Sequence, residues 1–204
     1  MEWQPLPVSF FERTLPLVAR DLVGCMLVSA SPSVVSGRIV ETEAYGMDEE
    51  AFFGRHARPT ASGEIATSKT GEVLQGARGT AFVYSVFFGN WLLNVVAGPP
   101  GYLGSVLIRG VEPVEGIEMM RVRRSSGDRE EKLAAGPGRL TQAFAVDGNY
   151  NGHPLQKPPL MVLPRASGGS PEVVAGPRIG LKRARDLAWR FVDPSSRSLS
   201  RPAP

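Results

Sequence analysis

The 204-residue chain is poor in cysteine and histidine, with Cys25, His56 and His153 as its only examples. A single cysteine excludes an intrachain disulfide framework, and its setting in LVGCML predicts a buried, unreactive thiol. The three residues also leave none of the usual zinc-ligand spacings. We therefore expect no metal ion.

Several motifs of enzyme chemistry are missing as well. The chain has no GxxxxGK[ST] phosphate loop, no GxGxxG after a predicted strand and no GxSxG nucleophile elbow. We therefore expect no nucleotide or other cofactor. The remaining side chains permit carboxylate chemistry in an aromatic setting.

Long apolar runs are absent too. The longest, such as WLLNVVAG, are far shorter than the roughly 20 residues that a membrane helix needs. The start, MEWQPLPVSFF, has neither the basic region nor the apolar region of a signal peptide. We expect no membrane contact and a cytoplasmic, nucleoid-associated location.

The composition is that of a folded protein, with 42% hydrophobic and 21% charged residues. The length predicts one domain, which we place at residues 1–193. The polar ending SSRSLSRPAP predicts that residues 194–204 form a disordered tail.

Apolar spacing and turn residues outline the secondary structure. A hairpin is predicted over 80–97, turning at Gly89-Asn90, with Phe87 and Phe88 at its tip. This aromatic pair is either buried under a neighbouring loop or forms a wedge that enters a stack of bases. A long surface loop is predicted over 46–79. Helices are expected within 9–23, 114–124 and 136–145, and strands at 25–30, 36–45 and 105–110.

The strand GRIVETEAYG, residues 37–46, poses the main functional question. Alternation places Val40, Thr42 and Ala44 on one face, and Glu41, Glu43 and Tyr45 on the other. The acidic face is either solvated or holds a working carboxylate beside an aromatic ring. Alternation alone does not separate Glu41 from Glu43.

The charge is unevenly distributed along the chain. Residues 61–204 hold eighteen basic and twelve acidic side chains. The basic excess is concentrated in two runs, at 121–139 and 178–201. Such runs are either solvated faces or the footprint of a polyanion such as a nucleic acid.

Five groups of residues stand out along the chain: RIVETEAY, FVY with NVV, LIRGVEPVEG, AGPGRLTQA, and GPRIG with WRF. Together they resemble the 3-methyladenine (alkyladenine) DNA glycosylase family. They occur in the family's order and span residues 10–191. The resemblance implies a mixed α/β single domain, with a curved antiparallel β-sheet flanked by helices and a β-hairpin that protrudes into the DNA minor groove.

The resemblance also implies roles for individual residues. Glu43 matches the carboxylate that activates the hydrolytic water, and Arg109 matches the arginine that helps place nucleotide and water. Tyr45 and Tyr84 match the aromatic walls of the base pocket. Asn94 matches the asparagine that disfavours the amino group of normal guanine.

Further roles concern the DNA around the base. Phe87 and Phe88 stand where the family has its wedge residues. Pro137 near a helix start leaves exposed amides that could hold a phosphate, so Gly136 and Arg139 are expected at the DNA backbone. The implied partner is double-stranded DNA containing damaged purines, and the protein is expected to bind it as a monomer.

The sequence departs from the family at one pocket position. The family places a histidine soon after the tyrosine, and here either Phe53 or His56 takes that position. The TPRN stretch that normally follows is replaced by ARPTASGEIATSKTGE. The main interpretation is a monofunctional glycosylase that flips an alkylated or deaminated purine and hydrolyses its N-glycosidic bond. The alternatives are a damage-binding protein with weak or no catalysis, and an enzyme adapted to another lesion.

Overall fold

The computed structural model describes residues 4–54, 56–86, 89–165 and 169–204. Within these ranges no helix is long and apolar enough to cross a membrane. The helices are α1 (Val8–Phe11), α2 (Leu15–Leu22), α3 (Ile117–Arg124) and α4 (Pro137–Ala143). The strands are β1 (Met26–Ser29), β2 (Val35–Gly46), β3 (Ala57–Pro59), β4 (Ile65–Thr67), β5 (Ala81–Ser85), β6 (Trp91–Val96), β7 (Gly104–Glu115), β8 (Leu160–Leu163), β9 (Val174–Gly176) and β10 (Arg190–Val192).

Eight strands form one open antiparallel sheet, in the order β5–β6–β7–β2–β1–β8. Strand β10 joins β2 beyond the end of β1, and β9 joins β10. Strands β3 and β4 form a separate ribbon. The predicted mixed α/β class, with an antiparallel sheet flanked by helices, is confirmed.

Helix α2 shows how the local pattern builds the core. Its apolar residues recur at the spacing of one helix face, and Leu15, Val18, Ala19 and Leu22 are all buried. The same core contains Leu140 and Phe144, in and just after α4. The Thr42 hydroxyl donates to the Ala19 carbonyl oxygen at 2.7 Å and ties the centre of β2 to α2.

A β-bulge changes the alternation of β2. The pairing of β2 with β7 shifts register on both sides of Glu41, and a bulge places two successive residues on nearly the same side. Val40 therefore packs with Val192 and Leu199, whereas Ile39 and Ala44 belong to the main core. The predicted shared face of Val40, Thr42 and Ala44 is wrong for Val40.

The segment 46–79 is more structured than the predicted surface loop. It contains 3₁₀ helices at Glu50–Phe52 and Gly71–Gln75 in addition to the β3–β4 ribbon. Ala57 and Leu74 are buried against Phe82 of β5 and Val96 of β6. A few apolar residues thus seat the segment on the β5–β6 hairpin.

The prediction of a disordered tail at 194–204 is wrong. Leu199 and Ala203 pack on Val40 and Val192, and Ser198 is fully buried. The carbonyl oxygens of Arg201 and Pro202 accept hydrogen bonds from buried Arg190. These long-range contacts order a segment whose local sequence is polar.

We predict that Cys25 is inert towards thiol reagents in the native protein. The side chain is buried, and burial raises the pKa of its thiol from 9.0 to about 11. Only the thiolate reacts. With a disulfide reagent at pH 8, labelling of the native protein should be at least about 100-fold slower than labelling in denaturant. Equal rates in the two conditions would contradict the burial of this residue.

Candidate active site

A cavity of about 420 Å³ opens between the sheet and the 46–79 segment. This volume is within the range of small-molecule pockets in proteins. Strands β2, β5, β6 and β7 and the segment 46–79 all contribute to its walls. Its aromatic and polar lining includes Tyr45, Phe52, Phe53, His56, Phe82, Tyr84, Asn94 and Arg109.

Glu43 lies directly behind one wall of this cavity. Its side chain is fully buried, and its carboxylate accepts hydrogen bonds from three groups. The Tyr45 hydroxyl donates at 2.7 Å, Arg109 Nη1 at 3.1 Å and the Ile179 backbone N–H at 2.7 Å. Tyr45, Arg109 and Ile179 all line the cavity. Glu43 is therefore one side chain removed from whatever the cavity holds.

The Tyr45 phenol is held in its neutral form. Burial and the negative charge of Glu43, in that order, raise its pKa well above the ordinary value for tyrosine. A phenol that keeps its proton acts as a hydrogen-bond donor. Tyr45 thus fixes the carboxylate of Glu43 from the cavity side.

Glu41 is enclosed by donors on every side. Its carboxylate accepts from Arg190 Nε at 2.8 Å, Arg109 Nε at 3.3 Å, the Ser200 hydroxyl at 2.8 Å and the Ser200 N–H at 2.6 Å. It is fully buried. Neither glutamate lines the cavity itself, but all three donors to Glu43 do, whereas of the donors to Glu41 only Arg109 does. The structure therefore excludes a solvated acidic face and connects Glu43 more directly with the cavity lining than Glu41.

His56 forms part of the wall that contains Tyr84. Their ring centroids are 4.6 Å apart, and the His56 Nδ1 atom lies 3.0 Å from the Ser68 hydroxyl oxygen. Phe53 also lines the cavity and meets Phe52 edge-to-face, with centroids 5.5 Å apart. Both candidates for the family's histidine position thus reach the cavity, and only His56 brings a hydrogen-bonding ring.

Asn94 is nearly completely buried at the cavity wall. Its amide nitrogen donates to the Phe82 carbonyl oxygen at 3.1 Å, across the β5–β6 pair. A side chain held in this way presents a fixed amide edge to a cavity occupant.

A buried ion pair supports the part of the wall that contains Tyr45 and Ile179. The Arg178 guanidinium lies 4.7 Å from the Tyr45 ring centroid and 5.5 Å from that of Trp189. It donates to both carboxylate oxygens of Glu49, at 2.7 and 2.9 Å. Arg178 precedes Ile179 in the chain, so the pair fixes both the ring of Tyr45 and the backbone that caps Glu43.

Among the other predicted residues, Gly136 and Arg139 do not line the cavity. Phe87 and Phe88 lie outside the described residues. Gly136 precedes Pro137, which lines the cavity, and Arg139 is exposed on the seven-residue helix α4. The basic run at 178–201 is not a purely solvated face, because it contains the buried Arg178 and Arg190.

Several site residues were not singled out from the sequence: Glu49, Arg178, Ile179, Arg190 and Ser200. The motifs GPRIG and WRF contain three of them, so a signal for those existed without an assigned role. Glu49 and Ser200 have no local signal, because their partners are distant in the sequence.

The chemistry open to this site follows from its composition. Within the described residues no group of three or more His, Cys, Asp or Glu side chains could hold a metal ion. Aromatic rings can stack on a planar ligand, and the carboxylate–arginine pair can act on an atom at the cavity wall. The fold and site define a protein with an aromatic-walled pocket backed by a buried carboxylate.

Comparisons with known proteins agree with this class. The family model described as "Methylpurine-DNA glycosylase (MPG)" matches residues 9–197. Three curated relatives carry the name "Putative 3-methyladenine DNA glycosylase". The protein of Salinibacter ruber is 41% identical, with 98% of each chain covered. Those of Methanoculleus marisnigri and Rhodopseudomonas palustris (strain HaA2) are each 38% identical, covering 96% and 97% of this chain and 98% and 91% of their own. The chain belongs to the methylpurine-DNA glycosylase family.

We predict that Glu49→Ala strongly destabilises the protein. The substitution leaves the fully buried side chain of Arg178 without its carboxylate partner, and breaking such a pair costs about 3–5 kcal/mol. The matched control is Glu50→Ala, because the Glu50–Arg183 pair is exposed and 3.8 Å long. The control should lower the free energy of unfolding by less than about 1 kcal/mol. Urea denaturation measures both, and similar losses in the two variants would contradict the prediction.

Proposed function

We propose that this chain is a monofunctional DNA glycosylase acting on alkylated or deaminated purines. It flips the damaged nucleotide out of duplex DNA and hydrolyses the N-glycosidic bond, which starts base excision repair. The observation that supports this most strongly is the placement of Glu43, whose three hydrogen-bond donors all line the aromatic cavity.

The cavity suits an extruded purine. Tyr45 and Tyr84 supply stacking surfaces, and His56 and Asn94 supply polar groups for the base edge. An alkylated purine carries positive charge, and aromatic faces attract such a ring by about 0.5–2 kcal/mol. A damaged or mismatched base is also extruded at a lower cost than a normal one, by a few kcal/mol. Selectivity for damaged purines would thus arise both from the lower cost of extruding them and from their stronger binding in the pocket.

In the proposed hydrolysis, water attacks C1′ of the sugar while the bond from C1′ to the base breaks. The bonding electron pair leaves with the base, where it neutralises the positive charge of an alkylated purine. A deaminated purine is neutral, so it leaves as an anion that then takes a proton from water. Glu43 takes the proton that the water loses and stabilises the positive charge that develops on the sugar. Arg109, which donates to Glu43 at the cavity wall, keeps the carboxylate aimed at the sugar.

The chemistry ends at base release. Strand cleavage by a bifunctional glycosylase needs an amine nucleophile that forms a Schiff base. None of the described residues lining the cavity is a lysine. This supports a product that is an intact strand with an abasic site.

Other residues, outside the cavity, contact the DNA around the flipped nucleotide. Phe87 and Phe88, which lie between β5 and β6 in the sequence, fill the gap left by the flipped nucleotide. Gly136 and the exposed Arg139 contact the backbone near Pro137. The protein acts as a monomer on double-stranded DNA.

One alternative is a protein that captures damaged DNA and releases the base slowly or not at all. The observation that favours it is the closed shell of donors around Glu43, since a water must be admitted to that shell before it can react. The replaced loop after His56 favours a further alternative, an enzyme adapted to another lesion.

We predict that Glu43→Gln lowers base release by at least about 100-fold, because glutamine cannot take the proton from water. The assay is single-turnover incubation with a duplex containing one 3-methyladenine, hypoxanthine or 1,N6-ethenoadenine. The control, Glu118→Gln, changes a glutamate whose side chain is 88% exposed on α3 and should leave the rate unchanged.

The same assay separates the alternatives. Base release by the wild type that persists in Glu43→Gln would overturn the role of this carboxylate. Tight, lesion-selective binding without release by the wild type would favour the damage-binding protein.

We predict a steep loss of DNA affinity with salt, because bound phosphates release counterions. The substitution Arg139→Ala should weaken binding to all sequences alike and reduce the slope of log affinity against log salt by about 1. The control is Arg20→Ala, on the exposed face of α2. Affinity measurements between 50 and 200 mM salt test this directly. An unchanged slope for Arg139→Ala would show that this residue does not contact the DNA backbone.

A further inference from the structure

The C-terminal segment 196–204 reaches the buried charges behind the cavity. Ser200 donates to Glu41 through both its N–H, at 2.6 Å, and its hydroxyl, at 2.8 Å. Its hydroxyl oxygen also lies 3.4 Å from Arg109 Nη2. A polar residue close to the chain end is thus bonded to two members of the site's charge network.

Arg109 connects this contact with Glu43. Its Nε donates to Glu41 and its Nη1 to Glu43, so the planar guanidinium spans the two carboxylates. The side chain is only 11% exposed. Because a guanidinium has its donors in a rigid fork, fixing one edge on Glu41 and Ser200 sets the direction of the edge that meets Glu43.

The segment itself is firmly held. Arg190, which also donates to Glu41, binds the carbonyl oxygens of Arg201 and Pro202 at 2.8 and 3.1 Å. Gly110, next to Arg109, has no room for a side chain, because a Cβ there would lie 2.8 Å from the Ser198 carbonyl oxygen. Backbone contact on both sides of Ser200 therefore leaves its position little freedom.

We propose that Glu41 and Ser200 are positioning residues for base release, and that the C-terminal segment is a working part of the active site. They act through Arg109, because they hold its guanidinium in the orientation that lets it donate to Glu43. This inference rests on the proposed function, in which Glu43 and Arg109 act on the N-glycosidic bond. Displacement of a reacting group by about 1 Å can cost about 100-fold in rate, so loss of one such anchor has a measurable effect.

The test compares Ser200 with Ser195, a serine just before the segment. Ser200→Ala removes the hydroxyl from Glu41 and Arg109. Ser195→Ala is the matched control, since it removes a hydroxyl that donates to another carboxylate, Asp193, at 2.6 Å and does not contact Arg109. The measurements are the single-turnover rate constant for base release at saturating enzyme, the dissociation constant for lesion DNA and the thermal midpoint. The rate constant is measured per active molecule, so a merely structural loss does not change it.

For Ser200→Ala we expect a rate constant about 10-fold lower with DNA affinity within about 2-fold of the wild type. Ser195→Ala should keep the wild-type rate constant, and Ser200→Thr, which retains the hydroxyl, should recover most of the lost rate. Glu41→Gln should show a larger loss in the same direction, and Ser200→Ala serves as the test where that variant does not fold.

Three results overturn the inference, and they are distinguishable. If the wild type releases base and Ser200→Ala does so at the same rate constant, the tail is structural only and the proposed function stands. The tail is likewise structural only if Ser195→Ala and Ser200→Ala lose rate equally. If the wild type releases no base from any of the three lesions, the proposed function fails, and the positioning role fails with it.

Discussion

The site depends on one shared guanidinium, that of Arg109. Two carboxylates on one face of a strand, both fully buried, would repel each other and lose their hydration. Arg109 donates to both, and Arg190 adds a second cation beside Glu41. Burial of these acids is possible because the charges are matched and the remaining lone pairs accept hydrogen bonds.

This arrangement gives two chemically identical residues different surroundings. Glu41 is closed off by the C-terminal segment, and the bulge around it places Val40 and Glu41 towards that segment. Glu43 is covered by residues that themselves face the cavity. Glu43 is thus separated from the cavity only by side chains that line it, whereas Glu41 belongs to the interior network. A separate buried pair, Arg178 with Glu49, supports Tyr45, which lies between Glu43 and the cavity.

Parts of the fold with strong local patterns were predicted well. The apolar stripe of α2, the Gly89-Asn90 turn and the two β-prone runs around it correspond to the observed helix and hairpin. The segment 46–79 and the tail were wrongly assigned to loop and disorder. Each is held by a few apolar residues, such as Leu74 and Leu199, packed on strands far away in the sequence. Local composition carries no record of such contacts.

The sequence by itself determined the family, through motifs such as VETEAY, and its single cysteine and two histidines left no intrachain disulfide and none of the usual zinc-ligand spacings. It also nominated Tyr45, Tyr84, Asn94 and Arg109, which the folded chain brings to one cavity. Only the tertiary structure decided that all three donors to Glu43 line that cavity, that both His56 and Phe53 reach it, and that Ser200 belongs behind it. The physical reason is distance along the chain: Glu43 meets Arg109 66 positions away, and Glu41 meets Ser200 159 positions away. Such contacts exist only once the sheet has formed and the tail has closed over it.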